Sequence, residues 1–421
     1  MKKYYFLFFI ISFLSTDISA SGFQINEHGS RAMGLAGAFT GLANDPSAIY
    51  FNPAGITQLT GTHILGGATL ILPSSSFRGP TPSINESKLE SQIFNPIHLY
   101  VTQQISENLF LGLGVGNNYG LGTKWNEDWV GRFMAVETEI RTFFFNAVAS
   151  YKIMNEVSLG FGYVLAYGDV LIGKKLNLSP FDAESYLSLE GTGYGAGFTA
   201  GILIIPIKPL SFGLSYRSQV KIDFEGDATP SDYPTQFEGK LPHGPIAAPL
   251  TTPDNLTFGI AIKPLKEFTL TADYQFVGWS SYDKLEVQFK DYVDSKTGEL
   301  LVSASERNYE NSFIARIGAE YTLDKSISVR GGFLYDKNPV ADERLDPTLP
   351  DADRLGFNIG GSYNFNKNFT LEAAYLLLRF DERKITNSLE NYSGIEGSVS
   401  PMNGVYNSIA HLLSLTVAYN F

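Results

Sequence analysis

The segment SFGLSYRSQVKIDFEG, residues 211–226, carries the clearest evidence for the fold of this chain. Its apolar residues recur at every second position, which is the period of side chains along a β-strand. Strands of soluble sheets usually extend over about five or six residues, whereas this alternation continues for roughly twice that length. Such a length is typical of a tilted strand that crosses a membrane, with an apolar face towards lipid and a polar face towards the lumen. The predicted apolar face comprises Phe212, Leu214, Tyr216, Val220, Ile222 and Phe224, and the predicted polar face comprises Ser211, Gly213, Ser215, Arg217, Gln219, Lys221 and Asp223.

The same alternation returns in residues 268–276, 313–323 and 355–365. In the second of these segments, Arg316 and Glu320 are expected to face the lumen. The chain ends with LLSLTVAYNF, which puts apolar side chains on one face and an aromatic residue at the terminus. Such an end resembles the signal that barrel-assembly machinery reads, and we expect that machinery to insert the protein.

The connections between the predicted strands are unequal in length. Six are very short, and seven are long polar stretches. This asymmetry is typical of outer-membrane barrels, which have short periplasmic turns and long extracellular loops. The sequence therefore predicts an all-β fold, a 14-stranded antiparallel transmembrane β-barrel with both ends periplasmic. The long stretches lie near residues 73–95, 118–138, 173–190, 225–252, 280–310, 336–352 and 382–408.

The N-terminus predicts export to the cell envelope. Residues 1–20, MKKYYFLFFIISFLSTDISA, have the basic, apolar and small-residue order of a secretory signal peptide, with cleavage after Ala20 or after Ser21. The 421-residue chain has no cysteine and a formal net charge of −12. Because phosphate-binding surfaces need clustered lysine and arginine, this acidic balance argues against nucleic acid as a partner.

Residues 21–60 precede the first strand and are rich in glycine and alanine. Glycine permits tight turns, and Asn44-Asp45-Pro46 is a typical start of a short helix. A barrel of about fourteen strands leaks unless something fills its lumen. We therefore expect residues 21–60 to form an N-terminal hatch inside a barrel of residues 61–421. An ordinary periplasmic extension is the alternative.

Several segments resemble the FadL/TodX family, outer-membrane transporters of long-chain fatty acids and aromatic hydrocarbons. Gly22-Phe23-Gln24 is similar to the mature start of the family, and Asn52-Pro53-Ala54 is similar to an element of its hatch. The similarity covers nearly the whole mature chain. Further matching segments follow in the family's order: NNYGLGTKWNEDWVGR (117–132), YRSQVKIDFEG (216–226), GWSSYDKL (278–285) and LPDADR (349–354).

The resemblance implies a monomeric barrel that passes a hydrophobic ligand from extracellular loops to an apolar pocket above the hatch. The ligand then leaves sideways by passive, ligand-gated diffusion, through an opening made by an inward kink of the third strand. The kink corresponds to Asn118, Tyr119 and Gly120. Three glycines on one face of the strand at 109–117 either allow this bend or make room for neighbouring side chains. A lateral exit also spares the ligand renewed contact with water, because each buried CH₂ group is worth about 0.8 kcal/mol.

Candidate ligand-capture residues lie in the segment 118–138. Leu121, Trp125, Trp129 and Phe133 are large apolar side chains in an otherwise polar stretch, where an apolar patch usually marks a binding site. An interfacial aromatic belt or a self-packed loop is the alternative. Arg132 either pairs with a carboxylate ligand or makes an internal ion pair.

The resemblance also implies a basic residue for a carboxylate head group. Lys174 and Lys175 stand where the fatty-acid branch has one, but the position across the barrel is Ser305, with Arg307 nearby. This departure leaves hydrocarbons as alternative ligands. Phe23 either reaches into the ligand pocket or tethers the hatch, and the Asn-Pro-Ala element either takes part in transport or only folds the hatch.

We expect no enzymatic activity, no cofactor and no metal. The five histidines lack the spacing of metal ligands, and GAGFTA (195–200) matches a dinucleotide-binding pattern only within a strand-like run. The expected partners are a hydrophobic small molecule and outer-membrane lipid, including lipopolysaccharide. A general diffusion porin, an adhesin or a receptor is the alternative function.

Overall fold

The computed structural model describes residues 22–294, 297–390 and 400–421, and the predicted signal peptide, residues 1–20, lies outside them. In this described part, fourteen antiparallel strands form one wall, and some of them are interrupted. Numbered along the chain, they are β1 (Thr62–Arg78), β2 (Ile97–Gln104), β3 (Leu109–Gly116 and Gly120–Lys124), β4 (Glu137–Met154), β5 (Val157–Asn177), β6 (Glu184–Ile207), β7 (Leu210–Arg217 and Val220–Ser231), β8 (Gly244–Thr252 and Asn255–Leu265), β9 (Phe268–Val277 and Lys284–Val293), β10 (Leu300–Glu306 and Ser312–Thr322), β11 (Ile327–Asp336), β12 (Arg354–Asn364), β13 (Phe369–Phe380) and β14 (Gly404–Asn420).

The wall closes into a barrel because its first and last strands pair with each other. β1 and β14 are in antiparallel register from His63 opposite Asn420 to Arg78 opposite Val405. Every other strand pairs with its neighbours in chain order. The predicted 14-stranded antiparallel barrel is confirmed.

The remaining regular elements are short. Within the described residues, no helix is both long enough and apolar enough to cross a membrane. The helices are α1 (Ser30–Gly34), α2 (Ala48–Phe51) and 3₁₀ turns at Pro53–Gln58, Thr235–Phe237, Trp279–Ser281 and Asp342–Arg344. Two short strands of the connecting loops, Glu86–Lys88 and Arg383–Ile385, pair with the upper ends of β1 and β14.

The half of the barrel near the short turns has apolar side chains outside and polar ones inside. On β14, Leu415 is 55% exposed whereas Thr416 is fully buried. Arg316 and Glu320 on β10 are buried and face the lumen, as predicted. This alternation is the one expected for strands in contact with lipid.

The prediction that the apolar residues of 211–226 share one face is wrong for the second half of that stretch. Leu214 faces outward and is 40% exposed, but Val220, three residues after the end of the first β7 segment, is buried inside. Ser218 interrupts the strand there, since its amide and hydroxyl bond to the carbonyl and amide of Phe198. The interruption reverses the direction of the following side chains. Beyond it, Lys221 is exposed, and the inward residues are Val220, Ile222 and Phe224.

The strands also continue further than predicted on the extracellular side. β5 extends to Asn177 and β6 begins at Glu184, both inside the predicted loop at 173–190. The predicted loops at 225–252, 280–310 and 382–408 likewise contain parts of β7 to β10 and β14. The alternation of apolar and polar residues did not predict these parts of the strands. There the barrel wall extends above the membrane, so its outer face contacts water and its inner face is apolar.

Residues 22–60, the N-terminal segment, lie inside the ring of strands. The Arg31 guanidinium donates to both carboxylate oxygens of Glu320 on β10, over 2.9 and 3.0 Å, and the Asn52 amide donates to the Ile202 carbonyl on β6 over 3.0 Å. Partners on other strands are Ser150, Asp273, Asn358 and Ser414. These contacts surround the segment on all sides.

Glycines in the wall allow the N-terminal segment to approach the strands. A Cβ on Gly112 would lie 2.8 Å from the Ile49 side chain, and one on Gly116 would lie 2.8 Å from the His28 ring. The glycines of the third strand therefore make room for neighbouring side chains, which was the second of the two readings that their spacing left open.

Candidate ligand pocket and lateral opening

An apolar pocket lies in the upper half of the barrel, enclosed by β4 to β10 and by the loop before β12. It encloses a free volume of about 60 Å³, enough for a few atoms but not for a long acyl chain. Its walls are the inward residues of the strand extensions described above. They include Ile172, Leu189, Phe224, Ile246, Leu250 and Val287.

Phe23 of the N-terminal segment stands at the lower end of this pocket and is 4% exposed. Its ring makes edge contacts with Tyr119, Trp279 and Tyr282, with centroid distances of 5.9, 5.0 and 5.8 Å. Sequence reasoning proposed Phe23 but did not single out Trp279 or Tyr282. Both residues belong to the segment GWSSYDKL, and the sequence signal for them is the presence of two aromatic residues close together at one strand break.

Two cations lie in the upper part of the barrel, and one of them, Arg307, lines the pocket. Lys174 faces the interior, because it is opposite Leu187, a buried residue of the inner wall. The Arg307 guanidinium lines the pocket, forms a buried ion pair with Asp346, and is close enough to repel the Lys174 ammonium. Within the described residues Lys174 has no hydrogen-bond or ion-pair partner, whereas the neighbouring Lys175 bonds to Glu127 over 2.7 Å.

Ser305 is the residue that the family resemblance places across the barrel from Lys174, at a position that carries no second cation. It is partly buried on β10, opposite Leu285 of β9. Two residues later, Arg307 is 6% exposed and lines the pocket. The sequence indicated Arg307 only as a neighbour, because a loop residue cannot be placed in register from the sequence.

A second, larger cavity of about 710 Å³ lies beside the pocket, and we call it the lateral chamber. Phe23, Leu121, Ile140 and Leu349 line both spaces and therefore form the partition between them. The chamber is amphipathic: one wall is apolar, and another carries buried charged groups. The apolar wall comprises Met33, Leu334, Leu376, Leu378 and Leu412, and the charged wall comprises Arg316, Asp336, Asp351 and Arg354.

The lateral chamber passes through the barrel wall. Its lining includes inward residues such as Leu412, which is 2% exposed, and also Glu139, Arg141 and Phe143 on the other face of β4. The Arg141 side chain is 63% exposed. A single space therefore connects the inside of the barrel to its outer surface.

The passage lies at the break in β3. After Gly116 the chain leaves the wall, and it returns at Gly120 to pair with Arg141 of β4. At the break, Phe23 and Ile25 pair with the third strand from inside: the Ile25 amide donates to the Asn118 carbonyl and the Gly120 amide donates to the Phe23 carbonyl, each over 2.9 Å. The side-chain amide of Asn118 is buried, and neither of its polar atoms has a partner in the described part of the chain.

The loop that follows the third strand, residues 125–136, contains two buried tryptophans, and we call it the third loop. Trp125 and Trp129 are 0% and 5% exposed, and their rings stack with a centroid distance of 4.2 Å. Their indole N–H groups donate to the carbonyls of Pro347 and Ala135. Neither tryptophan lines the pocket or the lateral chamber. This arrangement is that of a self-packed loop.

The other candidates from the segment 118–138 differ in position. Leu121 belongs to the partition between the pocket and the lateral chamber. Arg132 forms a salt bridge with Glu184, with a shortest distance of 2.7 Å, and its guanidinium stacks over the Phe133 ring at 4.5 Å. An arginine held in this way by two bonds is fixed to the base of the loop.

The Asn-Pro-Ala element is fully enclosed in the lower lumen. Asn52 caps the 3₁₀ turn by accepting the amide of Ala54 over 3.2 Å, and its amide also donates to the Thr40 carbonyl over 3.0 Å. The Pro53 carbonyl accepts from Ser150 of β4 over 2.7 Å. These residues lie far below the pocket and join the N-terminal segment to the wall.

Known proteins share both the sequence pattern and this architecture. A family profile for outer membrane protein transport proteins (OMPP1/FadL/TodX) matches residues 11–421. The chain belongs to this family. The long-chain fatty acid transport protein of Escherichia coli O6:H1 is 25% identical over 412 residues, covering 89% of this chain and 91% of that protein.

Solved structures of family members have the same fold. The crystal structure of a Pseudomonas aeruginosa FadL homologue matches with a TM-score of 0.83 at 19% identity, over 95% of this chain and 100% of that one. The Ralstonia pickettii toluene transporter TbuX matches with a TM-score of 0.70 at 17% identity, over 93% and 98% of the two chains. Family membership and the barrel together place the protein in the bacterial outer membrane.

Proposed function

We propose that the protein carries hydrophobic small molecules, and long-chain fatty acids in particular, across the outer membrane by passive lateral diffusion. The observation that supports this most directly is the lateral chamber, which begins at the apolar pocket and leaves through the barrel wall at the break in β3. The curated relatives named as long-chain fatty acid transport proteins support the same ligand class.

The geometry supports a gated sequence of steps. The free volume of about 60 Å³ in the pocket cannot hold a long acyl chain, so a ligand that enters from the extracellular side must displace side chains. Phe23 and Leu121 are in the partition, and their displacement joins the pocket to the lateral chamber of about 710 Å³. That volume lies in the range of ligand sites, about 300–1,000 Å³. The ligand gates its own exit.

The cations favour a carboxylate ligand. The Lys174 ammonium is partly buried, faces the interior near Arg307 and has no partner in the described residues, so an anionic ligand would stabilise it. Uncharged hydrocarbons are the second candidate, because Asp346 already neutralises Arg307 and the rest of the pocket is apolar.

The N-terminal segment, residues 21–60 of the predicted division, acts as the hatch of the barrel formed by residues 61–421. Its ion pair with Glu320 and its close packing against the wall glycines support this role and disfavour a general diffusion porin. The barrel works as a monomer without enzymatic activity, surrounded by lipopolysaccharide, and relies on assembly machinery for insertion. Asn52, Pro53 and Ala54 anchor the hatch, and Asn118, Tyr119 and Gly120 form the edge of the exit.

The third loop contributes to ligand capture through its shape. Trp125 and Trp129 build the loop core, Arg132 fixes its base, and Phe133 stacks on that arginine. Loss of the loop core therefore alters the entrance to the pocket even though the tryptophans do not line it.

Binding of oleate to the purified barrel, measured by displacement of a fluorescent fatty acid, tests the ligand class. We expect Lys174→Met to weaken oleate binding about tenfold or more, the usual worth of a hydrogen bond to a charged group, and to leave binding of an uncharged hydrocarbon unchanged. Lys175→Met is the matched control, because its ammonium bonds to Glu127, whose side chain is 64% exposed.

Uptake into lipopolysaccharide-containing vesicles that lack any energy source tests the mechanism. Faster uptake than in protein-free vesicles is expected. A folded barrel that binds neither oleate nor hydrocarbon, or that binds without accelerating uptake, contradicts the proposed function. Large steady conductance in a planar bilayer favours the porin instead.

A further inference from the structure

A partly buried aromatic ring lies across the outer side of the lateral opening. Phe94, in the loop between β1 and β2, lines the lateral chamber. Its ring rests directly on Gly122 of the second β3 segment, where any Cβ would overlap the ring. Gly122 is opposite Glu139, which shares its strand face with the exposed Arg141. The ring therefore covers β3 from the outer face of the wall.

The gap that Phe94 covers has defined edges. β2 pairs with β1 only as far as Ile97, opposite Ala68. Above this point the loop stays with β1, because Ile71 exchanges backbone hydrogen bonds of 2.8 and 3.0 Å with Phe94. The second β3 segment pairs only with β4 in this region, so Phe94 and Gly122 belong to two edges of the wall that share no β-ladder at this height.

One hydrogen bond closes the gap below the ring, and another closes it above the ring. Below it, the Ile97 amide donates to the side-chain oxygen of Asn117 over 2.7 Å. Above it, the Glu90 amide donates to the Lys124 carbonyl over 2.7 Å. Between these two ties, the contact of Phe94 with Gly122 spans the opening by side-chain packing, which a rotamer change can undo without breaking a backbone hydrogen bond.

We propose that Phe94 is the shutter of the lateral opening, a positioning residue whose ring on Gly122 sets the width of the exit and the rate at which cargo leaves. This inference rests on the proposed lateral route. Gly122 is required for this closure, because a residue without a side chain lets the Phe94 ring lie flat where the two edges of the wall come closest.

Phe94→Ala is expected to raise the exit rate about tenfold, the factor for about 1.36 kcal/mol removed from a barrier, with oleate affinity unchanged. Phe94→Trp is expected to lower the exit rate. The effect of both substitutions on this rate should be larger for bulkier hydrocarbon ligands. The matched control is Phe365→Ala, an outward aromatic beside a periplasmic turn, which is 56% exposed and lines no cavity described above.

A reversible lock gives the sharper test, and the chain offers it because it has no cysteine. Cysteines introduced by Phe94→Cys and Gly122→Cys are joined with a short bis-methanethiosulfonate reagent in the folded barrel. Uptake into vesicles should fall at least tenfold, oleate binding should persist, and reduction should restore uptake. Thr322→Cys with Ser328→Cys, a facing pair at a periplasmic turn, controls for the reagent.

The outcomes separate the shutter from the proposed function. Unchanged uptake after complete cross-linking, or uptake by Phe94→Ala equal to that of the wild type, overturns the shutter while lateral transport stands. Absence of oleate binding and uptake in the wild-type protein overturns the proposed function. If the double variant does not fold, the single Phe94 variants decide.

Discussion

Replacement of one wall glycine is expected to loosen the N-terminal segment without unfolding the barrel. Gly201 lies on β6, and a Cβ built on it overlaps the side-chain oxygen of Asn52 and comes within 2.8 Å of the Pro53 Cδ atom. Asn52 is fully buried and cannot rotate away freely, since its amide donates to Thr40 and to Ile202 over 3.0 Å each. Gly201→Ala therefore forces the Asn-Pro-Ala element off the wall.

The size of the expected change in opening free energy follows from the hydrogen bonds that Asn52 loses. Asn52 makes three side-chain hydrogen bonds, with the carbonyls of Thr40 and Ile202 and with the Ala54 amide. At about 1 kcal/mol net for each bond, the local opening free energy falls by about 3 kcal/mol. This agrees with the upper end of the cost of overpacking a core, about 1–3 kcal/mol. A change of this size raises the open population about a hundredfold.

Hydrogen–deuterium exchange measured on peptides that cover residues 48–59 is the assay. Exchange there should accelerate about a hundredfold, while peptides of β10 to β14 keep their protection. Gly331→Ala is the matched control, because its nearest atom would be 3.8 Å from the new Cβ, in ordinary contact. Wild-type exchange at residues 48–59 in a folded Gly201→Ala barrel would refute the reasoning that these glycines admit the N-terminal segment.

Three further changes test other parts of the structure. Glu320→Gln should lower the free energy of unfolding in urea by about 3–5 kcal/mol, because Arg31 and Arg330 lose the buried carboxylate that joins them; an unchanged midpoint would show that the pair is dispensable. Trp129→Ala should cost the third loop about 3–5 kcal/mol and create protease cleavage within residues 124–137, whereas a loop as resistant as that of the wild type would contradict self-packing. Phe23→Ala should join the pocket to the lateral chamber and speed ligand release, and stopped-flow release at the wild-type rate would contradict its place in the partition.

The lower half of the barrel was predictable because one physical rule governs it. Lipid outside and a polar lumen inside impose strict alternation, so the outward positions of β14 and the inward Arg316 and Glu320 could be assigned from the sequence. Above the membrane the rule is inverted. Val220 and Phe224 look like lipid-facing residues in the sequence, but both are buried inside the barrel and Phe224 lines the pocket, because the strand break at residues 218–219 changes which face points inward.

The candidate site was less predictable because it combines residues that are distant in the chain. Phe23 meets Trp279 only because the N-terminal segment returns to the break in β9, more than 250 positions away. Arg307 comes near Lys174 although the two residues are more than 130 positions apart, and no local pattern encodes that approach. No prediction from the sequence concerned Phe94, because the contact of its ring with Gly122 depends on the gap that forms where β3 leaves the wall.

A ligand can leave the barrel downward or sideways, and the two routes differ in the interactions that the protein must break. A downward exit must displace the N-terminal segment, which means separating Arg31 from Glu320 and freeing the Asp273 carboxylate from the amides of Phe39 and Thr40. Removing one partner of a buried ion pair alone costs about 3–5 kcal/mol.

A sideways exit requires only that apolar side chains move, chiefly Phe23, Leu121 and Phe94. The edge contacts of Phe23 are worth about 0.5–1.5 kcal/mol each, and Phe94 gives up packing against a glycine. The acyl chain meanwhile stays in apolar surroundings, whereas a downward path would expose it to water at about 0.8 kcal/mol for each CH₂ group. For a chain of ordinary fatty-acid length this last difference exceeds all the others, so the direction of exit is set by the cargo, and the buried charges of the N-terminal segment need only hold it in place.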